Sequence, residues 1–424
     1  MMKKSITAFK LFLQVPLYFI YLPILFFIYL ISPIILIKFS PLRSSRIGPF
    51  ASTTELYLCE RDAGINQPKK NYLDLFYLPY RANANEQLAK MFKRSIKIYP
   101  EFLMSPFYYL NKFISIFFYF SKKHDISHNS VCFNNEHDIY NLLENSKPHI
   151  EFTLDEEKKG KEYLNEIGLK QGDKFVCIIA RDQAYLNKFF DGDTVHTHRN
   201  VNIDNFILAA EELTKRGYFV IRMGKAVVSS IKSKNPKIID YAMSNKRNDF
   251  LDVYLGAKCF FCLSSHTGFD NIPVIFRKPV AYISIPIASF FTHNKDSIVI
   301  TRHHYSIEKK RNLTLSEIVS SEIARNLWGS VLKQENLNIA ESSSQDIKNL
   351  SIEITERLEG NWKDTDEDIR LQKKFWEIYS SSPFTSEFTH DVRPVAFKAS
   401  NKLHGKIKIR FGTKFLKNNI DWLN

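Results

Sequence analysis

The chain has 424 residues, with 59 Lys and Arg against 45 Asp and Glu and a formal charge of +14. Charged residues at 25% and hydrophobic ones at 44% exclude wholesale disorder, while 14 Gly and 16 Pro exclude collagen-like and Gly/Pro low-complexity chains. Five Cys (59, 132, 177, 259 and 262) are too few and too scattered for a disulfide framework and point to a reducing compartment; the length fits two domains better than one or four.

Residues 11–37 read LFLQVPLYFIYLPILFFIYLISPIILI, with no charge and one amide, Gln14. A hydrocarbon layer ~30 Å thick needs ~20 apolar residues, so the run is long enough to cross. It exceeds a signal-peptide core, and no small-residue cleavage site follows. Pro16, Pro23 and Pro33 would kink a helix, and Lys3, Lys4 and Lys10 before it and Lys38, Arg43 and Arg46 after it place positive charge at both ends. The expectation is a kinked or re-entrant helical anchor over 1–42 that leaves the body on the cytoplasmic side of the inner membrane. A second apolar-aromatic stretch, 102–120, is interrupted by Pro106, Asn111 and Lys112 and surrounded by Lys90, Lys93, Arg94, Lys97, Lys122 and Lys123. It reads as a helix lying in the headgroup layer or as a core helix of the first domain.

Residues 43–165 read as a first, mixed α/β unit. Gly48-Pro49 would make a turn, and Ser52, Thr53 or Thr54 would cap a helix beginning near Glu55. The polar stretch 121–150 reads as a linker, and 151–168 as a helix opened by the capping box Thr153-x-x-Glu156. From Gly172 strands alternate with helices. The runs 174–180, 218–224, 237–242, 258–265 and 279–285 are apolar as parallel strands buried on both faces are, and 204–215, 248–257 and 268–276 read as helices. This predicts a doubly wound parallel domain over 166–335, with its ligand at the carboxyl ends of the strands. The remainder, 336–424, reads as a helical, basic tail ending in an acid-free run over 392–420, expected to pack back towards the first domain or the membrane.

Three polar sets follow the strands: Ala180-Arg181-Asp182 with His198-Arg199-Asn200, then Arg222-Met223-Gly224-Lys225, then Ser264-Ser265-His266-Thr267-Gly268. All should converge on one crevice, and their chemistry fits an anionic ligand. Ser264, Ser265 and Thr267 offer hydroxyl donors, Gly268 lets backbone N–H groups approach at a helix N-terminus, and Arg222 or Arg199 can fork onto phosphate oxygens. No GxGxxG and no GxxxxGK[ST] is present. Asp191-Gly-Asp193 reads as a turn, Cys259 and Cys262 as core residues, and His196 and His198 as either loop residues or groups that could take a proton from an acceptor hydroxyl. Ser264, Ser265 and His266 lack the G-x-S-x-G elbow of a hydrolase.

The segments RIGPFASTTELYL (46–58), ARDQAYL (180–186), HRNVNIDNF (198–206), GYFVIRMG (217–224), IIDYA (238–242), DFLDVYLGAKCFF (249–261), SSHTGFDNIPVIFRKPV (264–280) and RFGTKFLKNN (410–419) resemble a family of bacterial glycosyltransferases with an N-terminal membrane segment and a GT-B-like body. The resemblance implies an α/β fold of two Rossmann-like domains facing a cleft: 43–165 as the acceptor domain and 166–335 as the nucleotide-sugar donor domain. It implies donor contacts for Arg181, Arg222, Gly224, Asp240, Ser264, Ser265, Thr267 and Gly268, and catalytic work for Asp182, His198 and Arg199, with Asp182 or His198 as base. Such enzymes work without a bound metal and need no cofactor beyond the nucleotide sugar. Gly48-Pro49 stands where the family shows Gly-His, which removes a histidine from the first-domain loop. The expected activity is transfer of a sugar from a nucleotide-sugar donor to a glycan or lipid-linked acceptor in cell-surface polysaccharide biosynthesis. The alternatives are a pyruvyl or other group transferase on the same scaffold, and a non-catalytic glycan- or nucleotide-binding membrane protein. The excess charge then reads as membrane surface and phosphate rather than nucleic acid.

Overall fold

The computed structural model describes residues 19–80, 83–130, 138, 140–190, 197–287, 295–324, 329–381 and 409–424. They fall into two compact units, one holding the residues up to 130 with Pro148–Glu151, the other holding 138–147 and everything from Phe152 onward.

The first unit is built on three parallel strands in the order β1-β2-β3, namely β1 (Leu36–Pro41), β2 (Tyr72–Tyr77) and β3 (Ile98–Tyr99). Strand β1 starts inside the run read as a membrane anchor. A helix covers 19–30, a turn follows at 31–34, and the chain then becomes extended. Among the described residues no helix is long and apolar enough to cross a membrane, and residues 1–18 lie outside them. The helix 19–30 is held by packing: Leu25 and Ile28 are buried with Phe39, Tyr77, Phe107 and Tyr108 in one core cluster. Lys38 of β1 sits in register with Asp74 of β2 and pairs with its carboxylate at 3.1 Å, so a charge buried in the sheet is neutralised by its strand neighbour.

Helix α1 (Ile47–Asp62) begins eight residues earlier than its hydroxyl residues had implied. Ser52, Thr53 and Thr54 do not cap it. They bond back to the carbonyls of Gly48, Pro49 and Phe50 at 3.0, 2.6 and 2.7 Å, the i−4 pattern available to short hydroxyl side chains inside a helix. Pro49 is tolerated because it lies in the first turn, where the N–H has no partner to lose. Helices α2 (Glu86–Ser95) and α3 (Glu101–Phe117) complete this unit. Helix α3 buries Phe107, Tyr108 and Asn111 while exposing Phe102, Phe113, Ile116 and Phe117, so the stretch is both a core helix and an aromatic surface.

The second unit is a seven-stranded parallel sheet in the order β13-β9-β8-β7-β4-β5-β6. Its strands are β4 (Phe175–Ile179), β5 (Phe219–Arg222), β6 (Ile238–Ile239), β7 (Cys262–Ser264), β8 (Val280–Ile285), β9 (Ile298–Thr301) and β13 (Arg410–Phe411). Counted from β4, the run β6 to β9 has the order 3-2-1-4-5-6, which is doubly wound with its switch point between β4 and β7. Strands β10 (His303–Ser306), β11 (Arg311–Asn312) and β12 (Leu337–Ala340) form a small antiparallel sheet.

Helix α4 (Leu154–Glu166), opened by the expected Thr153 capping box, belongs to this second unit and not to the first. Segment 138–147 joins it through Arg277, which donates to the carbonyls of Ser146 and Lys147 and to the Ser146 hydroxyl, each at 3.0 Å. The C-terminal part of the chain also joins it. Arg410–Phe411 pairs with β9, and helices α5 (Ile207–Lys215), α6 (Asp249–Lys258), α7 (Ser344–Leu358) and α8 (Asp366–Ser381) cover the same unit. Residues 382–408, most of the acid-free basic run, lie outside the described residues.

Candidate functional site

At the switch point the loops leaving β4 and β7 are stitched together. Ser265 N–H donates to Ile179 O at 3.1 Å, Arg181 N–H to Ser265 Oγ at 2.7 Å, and Val201 N–H to Arg181 O at 2.9 Å. The turn after β7 closes on itself. Ser264 Oγ donates to Asp270 Oδ2 at 2.9 Å, Thr267 N–H donates to the same oxygen at 2.8 Å, and His266 N–H donates to Ser264 Oγ at 3.1 Å. The helix that follows, Asn271–Ile275, has five residues. The amides expected to face a phosphate are thus satisfied within the loop, and the helix dipole behind them is short. His266 has φ +61°, a left-handed conformation rare for a residue with a Cβ.

Positive charge takes over where the amides do not reach. Arg199 donates through Nη2 to His266 Nδ1 at 2.7 Å and to His266 O at 2.9 Å. Arg302 donates to the carbonyls of His198 at 2.6 Å, Asn200 at 2.9 Å and Ser284 at 3.3 Å. Ser284 presents that carbonyl because β8 bulges there: its φ is +53° and the register with β9 shifts between Tyr282 and Ile285. Burial lowers the Arg199 guanidinium to about 9, with Arg181 and Arg302 adding repulsion against the attraction of Asp270, and lowers Arg302 to about 10. Asp270, the buried counter-charge, is itself pushed up to about 6 by burial, against its hydrogen bonds from Ser264 and Thr267 and the nearby Arg199 and Arg181. His304 is fully enclosed and lowered to about 4 by burial, with His303 and Arg302 adding to the effect.

A cavity of about 20 Å³ lies among these groups, lined by His198, Arg199, Arg302 and His304 with apolar neighbours such as Ile287 and Ile339. That volume holds one water. Arg199 Nε and, on the adjacent residue, Asn200 Oδ1 are buried with no hydrogen-bond partner among the described residues.

The residues singled out by sequence divide into two groups. Arg181, His198, Arg199, Ser264, Ser265, Thr267 and Gly268 gather at the switch point. Arg222 and Asp240 do not join them. Arg222, 1% exposed, is turned into the protein, paired with Asp240 Oδ2 at 3.1 Å and bonded to Ser229 O, while Asp240 also accepts from Ile231 N–H at 2.9 Å. Gly224 serves its own turn, where φ is +158° and a Cβ would meet Val227 Cγ1 at 2.6 Å. Asp182 has both oxygens engaged by backbone, accepting from Ala184 N–H and Val228 N–H at 2.9 Å each. Cys259 and Cys262 are buried core thiols, and Asp191-Gly-Asp193 and His196 lie outside the described residues.

Asp270, Arg302 and His304 were not legible as site residues. Arg302 and His304 follow β9, a four-residue strand between charged residues, and Asp270 stands among apolar residues in a helix-like run. Extending the strand count to IVITR would have exposed Arg302 as one more cation at a strand's carboxyl end.

No protein-family model matches the chain, and no curated protein is significantly similar to it. Among solved structures, the glycosyl transferase family 9 protein from Veillonella parvula DSM 2008 is similar at 12% identity over 76% of this chain and 96% of that one, with a TM-score of 0.41. The E. coli ADP-heptose LPS heptosyltransferase II is similar at 11% identity over 62% and 90%, TM-score 0.35. The UDP-GlcNAc 2-epimerase from Neisseria meningitidis, bound to UDP-GlcNAc, is similar at 13% identity over 77% and 100%, TM-score 0.30.

Proposed function

We propose that the chain is a GT-B-like glycosyltransferase that moves a sugar from a nucleotide-sugar donor to a glycan or lipid-linked acceptor in cell-surface polysaccharide assembly. One observation carries the reading. Three guanidinium groups, Arg181, Arg199 and Arg302, crowd the switch point of a doubly wound sheet with Asp270 as a weak buried counter-charge. Arg302 is buried and Arg181 and Arg199 are half-buried; like charges brought together with water partly excluded raise the energy of the free protein, and an anion relieves it. Ligands of such sheets bind at this place, and a phosphate is an anion that these cations suit. A leaving nucleoside diphosphate gains charge as the glycosidic bond breaks, so cations fixed in advance stabilise that transition state more than the bound donor. In this reading the guanidinium groups supply the charge that a divalent ion supplies elsewhere. Asp182 is held by two backbone amides, so the acceptor proton falls to His198, whose ring lines the cavity beside Arg199 and Arg302.

The acceptor reading rests on the first unit. Phe102, Phe113, Ile116, Phe117, Phe118 and Tyr119 are exposed beside Lys112, Lys122 and Lys123, and the helix 19–30 exposes Phe19, Phe26, Phe27 and Leu30. Aromatics and lysines on one surface suit an anionic leaflet. In this reading that surface supports a position on the cytoplasmic face of the inner membrane, near a lipid-linked acceptor.

The test is a thermal-shift screen of the whole protein against nucleoside diphosphates and nucleotide sugars. Stabilisation by one base family and turnover of its sugar support the reading. No shift with any of them defeats it, and a shift without turnover over a broad donor set favours a nucleotide-binding protein that does no chemistry.

A further inference from the structure

The first unit holds a second cluster of reactive side chains. Glu55 and Cys59 lie four residues apart on α1, so they share one face, and they are 0% and 2% exposed. His149 reaches them from the returning segment Pro148–Glu151. Its Nδ1 lies 3.0 Å from Glu55 Oε1 and 4.0 Å from Cys59 Sγ, and Cys59 Sγ lies 4.0 Å from Glu55 Oε1. One ligand atom from each of the three falls within 4.8 Å of the others. Tetrahedral bonds of ~2.0 Å to nitrogen or oxygen and ~2.3 Å to sulfur require donor separations of roughly 3.3–3.6 Å, so shifts of a few tenths of an ångström convert this triangle into a coordination face.

We propose that Glu55, Cys59 and His149 form a binding site for a borderline-soft divalent cation, with zinc the best fit. The donor set is the argument for the ion class: carboxylate, thiolate and imidazole together suit zinc, whereas magnesium and calcium take oxygen alone. The frame is already assembled. Ser95 Oγ donates to His149 O at 2.6 Å, Arg94 donates to Glu151 O at 2.8 Å, and His149 N–H donates to the Glu55 carboxylate at 3.3 Å. On the far side of the ring, His149 Nε2 lies 2.9 Å from Asp62 Oδ2, and Asp62 is oriented by Arg61 at 3.0 Å. A carboxylate on the non-ligating nitrogen fixes the tautomer that leaves Nδ1 free to coordinate, an arrangement recurrent around zinc-bound histidines.

Without an ion the charge is balanced by a proton. Burial disfavours the His149 cation, but its hydrogen bonds with Cys59 and to the Glu55 and Asp62 carboxylates outweigh that and raise the imidazole to about 10. Binding is an exchange: the cation takes the Nδ1 and Sγ lone pairs, and the protons those atoms carry leave to solvent. Three protein donors leave a fourth position to water, reached where the His149 side chain is 13% exposed. The ion would clasp Pro148–Glu151 to α1. This inference does not depend on the transferase reading.

The experiment is cobalt(II) titration of the whole chelator-treated protein, followed by its thiolate-to-cobalt charge-transfer absorption in the near ultraviolet, with released protons counted by an indicator dye and competition by zinc. The expected result is one equivalent bound, protons released on binding, a rise in melting temperature, and displacement by zinc. Cys59→Ser should remove the absorption band while circular dichroism stays that of the parent, and His149→Gln should weaken binding at least tenfold. The proposal is overturned if no stoichiometric band develops, or if Cys59→Ser keeps it, which would assign the ion to other thiols. Should Cys59→Ser misfold, Glu55→Gln decides by the same titration: unchanged affinity rejects the site.

Discussion

Arg199 holds His266 in its left-handed conformation, donating from one nitrogen to both the imidazole Nδ1 and the backbone carbonyl at 2.7 and 2.9 Å. A residue at φ +61° costs on the order of 1 kcal/mol or more, so the pair stores strain beside the switch point. Arg199→Lys keeps the charge but replaces the planar guanidinium, whose Nη2 reaches both acceptors, with a shorter and differently placed ammonium. Under the proposed function it should weaken nucleoside diphosphate binding roughly 10- to 100-fold, the scale of a lost charge-assisted hydrogen bond. Calorimetric titration checks it, and affinity within twofold of the parent would remove Arg199 from the donor site.

Arg222 makes the opposite prediction from the one its place at a strand end had suggested. Its partner Asp240, 18% exposed, is tied to Ile231 N–H, so Arg222→Ala leaves a part-buried carboxylate without its cation. Breaking a fully buried pair from one side costs about 3–5 kcal/mol, and the access of water to Asp240 brings the cost here to the lower end of that range. Urea unfolding should show that loss, while donor affinity of the folded fraction stays near the parent's. Normal stability with lost donor binding would return Arg222 to the site.

The contrast between these two arginines marks what the sequence could carry. Strands β4, β5 and β8 are legible because a strand covered on both faces must be a continuous apolar run, and their order of alternation with helices implies the parallel sheet. The polar sets after them are legible for the same reason. What chain order cannot convey is which way a side chain turns. Arg222 and Arg199 read alike as cations near strand ends, yet an aspartate eighteen residues away pulls one into the protein. The N-terminal apolar run fails as a pure anchor on similar grounds. Composition up to Ile37 is uniform, and only pairing with Tyr72–Tyr77 makes its last residues a strand. The cation site is invisible in sequence because Cys59 and His149 stand ninety residues apart.

Gly160 is a packing requirement. A Cβ there would lie 2.1 Å from Tyr254 Cζ, so α4 meets α6 only through the absence of a side chain. Gly160→Ala must push the ring aside, at a cost of about 1–3 kcal/mol that outweighs the gain in helix propensity. Urea midpoints check it. Gly160→Ala combined with Tyr254→Ala should destabilise less than the sum of the two single changes, and strict additivity would mean the contact is not what fixes the glycine.

Phe113 and Phe117 are 61% and 67% exposed, with ring centroids 5.6 Å apart on the outer face of α3. Two exposed phenyl groups beside lysines cost nothing to change in the folded protein but contribute apolar area to a bilayer surface. Replacing both with Ser should leave the melting temperature unchanged and weaken binding to vesicles containing anionic lipid at least tenfold in co-sedimentation. Binding equal to the parent's would move the membrane contact elsewhere.

His304 sets an acid limit on the second unit. Its ring is enclosed, and burial with the neighbouring His303, Arg302 and His198 lowers it from 6.5 to about 4. Above pH ~6.5 it is neutral in the folded and unfolded chains alike and adds no pH dependence. As pH falls below that value the unfolded chain takes up a proton that the folded chain refuses until about pH 4, so stability drops across this window. The full span is worth on the order of 3 kcal/mol. Asp270, raised to about 6, works in the opposite direction, since the folded chain holds its proton more tightly and that contribution fades as pH rises through the same window. The parent's curve therefore mixes both, and the comparison with His304→Asn isolates one. The variant should lose less stability than the parent between pH 7 and pH 4.5, measured by urea unfolding at each pH. Parallel curves for the two proteins would mean that His304 is already protonated in the folded state or reaches water.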